Sequence, residues 1–297
     1  MAKIPAKILF AVPAAAFAAA AAFFQSGLAR ERKTALEAID NTYSSNVPAE
    51  TRAAVAMLGG LRGVASEFLR LHASRLQREG EFASLAQLSM WLVQLDPHSP
   101  ETWSMAAWNL SYNLSASCDD PADKWRWVVA GMKLLRDDAL EVNPREPKIY
   151  YELVWLFLNK VNGTLDETGA YYNSSWRKTV STAMDGDGPE SLKMDPALMR
   201  DIDSKYGKLD WTDPVSSAIY WGEAGMRACA PSAMRAELRK SLCLCLFAKI
   251  RAEPHYADKA LEVAEREYAA EPSPVHGDAI RVLRDFIAGG YAPLKDE

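Results

Sequence analysis

One phrase occurs twice in this chain and constrains its folding more than any other feature. Leu95, Asp96, Pro97, His98, Ser99, Pro100, Glu101, Thr102 and Trp103 form the first copy. Val142, Asn143, Pro144, Arg145, Glu146, Pro147, Lys148, Ile149 and Tyr150 form the second, 47 positions later. Trp108 and Trp155 keep the same offset. A period of roughly 20–50 residues predicts stacked helical hairpins. The residue before a proline avoids the helical region, so each copy ends one helix at Asp96 or Asn143 and lets another begin. The period exceeds two tight helices and a turn. Its extra length falls between Leu114 and Trp125, where Asp119, Asp120 and Pro121 restart the chain. The phrase therefore reads as a recurring stop-and-restart joint.

Around these joints the apolar residues recur at helical spacing. Phe82, Leu85, Leu88, Trp91 and Leu92 form one stripe, and Trp125, Val128, Val129, Met132, Leu135 and Leu140 another. Alternating β-branched strands with turn pairs are absent, which predicts an all-α class. The organisation reads as 1–29 amino-terminal segment, 30–48 linker, 49–160 helical hairpins, 161–213 irregular insertion and 214–297 further hairpins. The insertion carries Gly163, Gly169, Gly186, Gly188 and Gly207, with helices expected over 166–184 and 196–206. An insertion between repeats often maps to the binding face.

Lys3 and Lys7 precede an uncharged apolar run from Ile8 to Phe24. Such a run predicts a membrane anchor through residues 8–24, or a cleaved secretory signal. Phe23, Phe24 and Gln25 make a poor cleavage region, which favours the anchor. The rest of the chain is then expected to be a single-pass protein's periplasmic or extracytoplasmic part.

The net charge of -5 argues against a nucleic-acid partner, because phosphate binding needs a basic face. Cys118, Cys229, Cys243 and Cys245 form no C-x-x-C pair, and His72, His98, His255 and His276 fall in no ligand spacing. No nucleophile elbow or phosphate loop occurs, so no catalytic residue, cofactor or metal site is expected. Asp185-Gly186-Asp187-Gly188 lacks the rest of a calcium loop and reads as a turn. The densest aromatic set is Tyr150, Tyr151, Trp155, Tyr171, Tyr172 and Trp176. Trp155 lies in an apolar run and reads as core. Tyr150, Tyr151, Tyr171, Tyr172 and Trp176 are the candidate binding residues, the last three expected at the surface from their polar neighbours. Asp166, Glu167, Asp201 and Asp203 would support a second reading, a glycan- or lipid-handling site in the insertion.

The joints resemble the tetratricopeptide repeat (TPR). Ala139, Leu140, Asn143 and Pro144 match the end of one such repeat, and Tyr150 and Leu153 the start of the next. Trp103, Ala106, Ala107 and Leu110 match another start. The period is longer than that family's, and Ala107 and Val154 stand where it has glycine. The runs Leu58 to Phe68, Trp103 to Asn113 and Met194 to Trp211 also resemble membrane-anchored helical-repeat proteins of planctomycete and verrucomicrobial bacteria. These resemblances imply a right-handed superhelix of antiparallel hairpins and a membrane location, but no activity. The first functional reading is a non-catalytic scaffold in the cell envelope, its partner another protein or peptide.

Overall fold

The computed structural model of the chain describes residues 62–163 and 167–291. The described residues from His72 on form one compact unit. The predicted anchor at 8–24 and the linker at 30–48 lie outside the described residues. Among the described residues there is no strand, and no helix is long and apolar enough to cross a membrane.

Eleven helices longer than one turn make up the described residues. They are α1 (Arg62–Glu79), α2 (Phe82–Leu95), α3 (Pro100–Trp108), α4 (Pro121–Lys133), α5 (Pro147–Trp155), α6 (Gly169–Asp185), α7 (Pro196–Tyr206), α8 (Pro214–Ala228), α9 (Ala233–Ala252), α10 (Tyr256–Ala270) and α11 (Pro274–Ala288). Three of them run on as π-helix: α3 through Asn109–Leu114, α4 through Leu134–Ala139 and α5 through Leu156–Val161. The first and third of these segments lie 47 positions apart, so the period of the joint is also the period of the π geometry.

Six helices begin with proline at their first position, where the missing N–H costs nothing. Each is capped by the residue before it. Ser99, Asp120, Glu146, Asp195, Asp213 and Ser273 all accept a backbone N–H of the first turn. The two joints repeat their chemistry as well as their letters. Trp103 Nε1 donates to the Pro97 carbonyl at 2.7 Å, and Tyr150 Oη donates to the Pro144 carbonyl at 2.9 Å. The aromatic six residues after the proline thus locks each restart.

Asn143 then links one copy to the other, since its Nδ2 also reaches the Pro97 carbonyl, at 2.8 Å. Replacing Asn143 by alanine should lower stability by about 1 kcal/mol, the net worth of one such bond. Urea unfolding should show an earlier midpoint with an unchanged slope. An unmoved midpoint would mean that the two joints are not coupled.

One apolar cluster runs from Val93 to Phe286. Within it α3 packs on α2 and α5, α4 on the π segment of α3, and α5 on both α8 and α9; α10 packs on α11. Small residues set the close crossings. A Cβ on Gly131 would lie 2.8 Å from the Ala107 carbonyl oxygen, so α4 meets α3 through Ala107 and Ser111. The stretch 161–213 belongs to the same core. Val161, Tyr172, Trp176, Val180, Met194, Ile202 and Tyr206 are buried in it, and its irregular backbone is confined to short connections.

Candidate functional site

A cleft of about 270 Å³ opens beside α3. Ser104, Met105 and Trp108 of α3 line it, followed by Asn109 and Asn113 of the π segment. Gln77 of α1, Leu85 of α2 and Glu152 of α5 complete the wall. Asn109 Nδ2 donates to the Phe82 carbonyl at 3.1 Å, and Asn113 Nδ2 donates to Asn109 Oδ1 at 3.0 Å. These bonds hold the π segment against the start of α2 and leave the side-chain oxygen of Asn113, Oδ1, as an acceptor at the wall.

Trp108 is 41% exposed, and its indole stacks on Tyr112 with centroids 4.0 Å apart. Beyond Tyr112 a second aromatic pair continues the surface: Trp155, the repeat counterpart of Trp108, stacks on Tyr151 with centroids 6.3 Å apart. The buried hydroxyl of Tyr112 lies beside the Trp155 indole N–H, yet neither atom makes a hydrogen bond of good geometry. Burial, with Glu152 close by, pushes the Tyr112 pKa far up, so the phenol stays neutral. Ser104 is buried and its Oγ also lacks a partner. Buried polar atoms are normally paired; of these three, Ser104 Oγ is the one at the cleft wall, and Tyr112 and Trp155 face each other away from it. Glu152 has a single distant cation, Lys148 Nζ at 3.5 Å. The Lys160 ammonium is buried and lies 5.1 Å from the Tyr112 ring and 5.3 Å from that of Tyr172.

The five aromatic residues expected to bind do not form one surface. Tyr172 and Trp176 are buried, which corrects their expected exposure. Tyr172 stacks on Trp125, and Trp176 packs on Phe157 and donates to Ser217 Oγ at 3.1 Å. Tyr150 is buried at the joint. Tyr151 is half-buried beside Trp155, and Tyr171 is 39% exposed on α6. Tyr172, Trp176 and Val180 are four apart, and that spacing marks a buried stripe better than their polar neighbours mark a surface. Sequence reasoning missed Trp108, Tyr112 and Glu152. The repeat offset pairing Trp108 with Trp155 was the signal that pointed to them.

In the 161–213 stretch the carboxylates have separate partners. Asp201 pairs with Arg227 at 3.1 Å. Asp203 accepts the Leu209 N–H and the Trp211 indole N–H. Glu167 is exposed, and Asp166 lies outside the described residues. Asp185 and Asp187 are exposed where α6 ends, and no group of three metal-ligating side chains occurs among the described residues.

A second polar centre lies between α7, α8, α9, α10 and α11. Lys205 Nζ lies 2.8 Å from Glu223 and 2.7 Å from Glu267. Tyr206, fully buried, donates to Glu223. Arg235 and Arg239 both pair with Glu271. A void of about 10 Å³, room for about one water, adjoins Tyr206, Arg239, Cys243, Glu267 and His276. The arrangement joins helices; the void is too small for a substrate.

Burial holds the His276 pKa below its ordinary 6.5; Arg239 and Lys205 push the same way, against Glu267 and Glu271. The unfolded chain takes up this proton near pH 6.5 and the folded chain only at lower pH. Between those values the unfolded state binds more protons, so stability falls as pH drops below about 6.5 and is complete above it. The melting temperature of wild type relative to His276→Gln should therefore decline from pH 7.5 to pH 5.5. A constant difference would refute a neutral buried imidazole.

No family model, no curated protein and no solved structure gives a match to this chain.

Proposed function

We propose that this chain is a membrane-tethered, TPR-like helical-repeat scaffold that binds another protein or peptide in the cell envelope and catalyses no reaction. The observation that carries the reading is the cleft beside α3. It combines an exposed indole, the buried Ser104 hydroxyl without a partner and side-chain amides, and Ser104, Met105 and Trp108 have their repeat counterparts in Tyr151, Glu152 and Trp155 of α5. Amides offer a donor and an acceptor together, which suits a peptide backbone. Aromatic anchors at the centre of a small cleft supply most of the energy in such contacts. The matching joints support a superhelical stacking of hairpins, and the apolar run at 8–24 supports the tether.

Purification of the full-length protein after mild cross-linking tests this. A specific protein partner should be recovered with wild type and lost with Trp108→Ala. Recovery of no protein, together with a tightly held small molecule, would overturn the scaffold. Cell fractionation tests the tether, and a full-length soluble product would refute it.

A further inference from the structure

The cleft beside α3 is rich in hydrogen-bond acceptors and poor in cations. Glu152 is the one charged residue in its wall, and its nearest cation, Lys148 at 3.5 Å, lies outside the wall. The bond of Asn113 Nδ2 to Asn109 leaves the Asn113 side-chain oxygen, Oδ1, as an acceptor at the wall. Ser104 Oγ is buried and unpartnered at the same wall. One face of the Trp108 indole is covered by Tyr112, and the side chain is still 41% exposed.

We propose that this cleft binds an arginine side chain of the partner, with the guanidinium lying on Trp108 and donating to Glu152. The inference rests on the scaffold reading and names the group that the scaffold grips. A guanidinium is planar, so it stacks on an indole, and it carries five N–H donors in a fixed fork. It has donors only, matching a wall that offers Glu152, the Asn113 side-chain oxygen and the Ser104 oxygen. A lysine ammonium fits less well, because its compact, strongly hydrated charge cannot stack on a ring and bond a carboxylate in one plane. The net charge of -5 on the whole chain acts in the same direction by attracting a basic segment.

Calorimetric titration of the detergent-solubilised full-length protein with N-acetyl-arginine-methylamide tests this. The citrulline analogue, of the same shape without the charge, is the control. The arginine compound should bind saturably at one site, about tenfold or more tighter than citrulline, the worth of one bond to a charged group. Glu152→Gln should abolish that preference. Trp108→Leu, which removes the ring the guanidinium would lie on, should weaken the arginine compound while the protein stays folded, its melting temperature lowered by the lost stack on Tyr112. Equal binding of the two compounds, no binding of either, or an unaltered preference in Glu152→Gln would overturn the inference. So would saturable binding of a neutral oligosaccharide such as cellobiose or chitotriose in the absence of arginine binding. Cross-linked partner that is still captured by Glu152→Gln would leave the scaffold standing and overturn the arginine site alone.

Discussion

Gly225→Ala should unfold about 6 °C below wild type. An added Cβ would lie 2.7 Å from Tyr150 Cβ and 2.6 Å from Leu238 Cδ2. The leucine tip can swing away. Tyr150 cannot, because its ring leaves a backbone packed in α5 and its hydroxyl is bonded to the Pro144 carbonyl. Helices α5 and α8 would have to part, and α9 packs on both. Overfilling a crossing of this kind costs about 3 kcal/mol, which exceeds the roughly 1 kcal/mol that alanine gains over glycine in a helix. Each kcal/mol shifts the midpoint by about 3 °C in a unit of this size. Gly277→Ala is the matched control: the nearest atom to its added Cβ is 3.7 Å away, so stability should rise by about 0.5 kcal/mol. If both glycines respond alike to calorimetric melting, the crossing at Gly225 is not close.

Glu223→Ala should have a comparable effect, about 3 kcal/mol. Removing one partner of a buried pair strands the others. Tyr206 would keep a buried hydroxyl without an acceptor, whereas Lys205 would still have Glu267. The loss should therefore sit at the lower end for buried pairs. Glu223→Gln should lose less than half as much, because its amide oxygen can accept from Tyr206. In combination with Tyr206→Phe, Glu223→Ala should cost less than the sum of the two single changes. Strict additivity in urea unfolding would show that the two groups do not act together.

The helix starts were legible from the letters because proline and the residue before it act locally. Asp120-Pro121, Asp195-Pro196 and Asp213-Pro214 are caps whatever surrounds them. The expected helix at 196–206 is found as Pro196–Tyr206. Burial was less legible, because it depends on what the other elements bring. Tyr172 and Trp176 sit among Asn173, Ser174 and Ser175, yet they face the core and the polar residues do not. The buried charges Lys160 and Glu223 gave no local sign either, since their partners come from other helices. The cleft was half visible. Trp108 and Trp155 were paired by their offset, but only the fold shows Tyr112 between them, and Glu152 beside a free wall of α3.

The two π segments that share the joint's offset also bear on how the helices present their side chains. Asn109–Leu114 and Leu156–Val161 align without a gap, so the same wide turn occupies the same place after both joints. A π turn holds more residues than an α turn, so it rotates every side chain that follows it around the helix axis. The third segment, Leu134–Ala139, has no counterpart, because the equivalent stretch of α6 is ordinary α-helix. The helices that open on the two joints therefore change the face they turn to the core at the same register, and the helices that follow them do not.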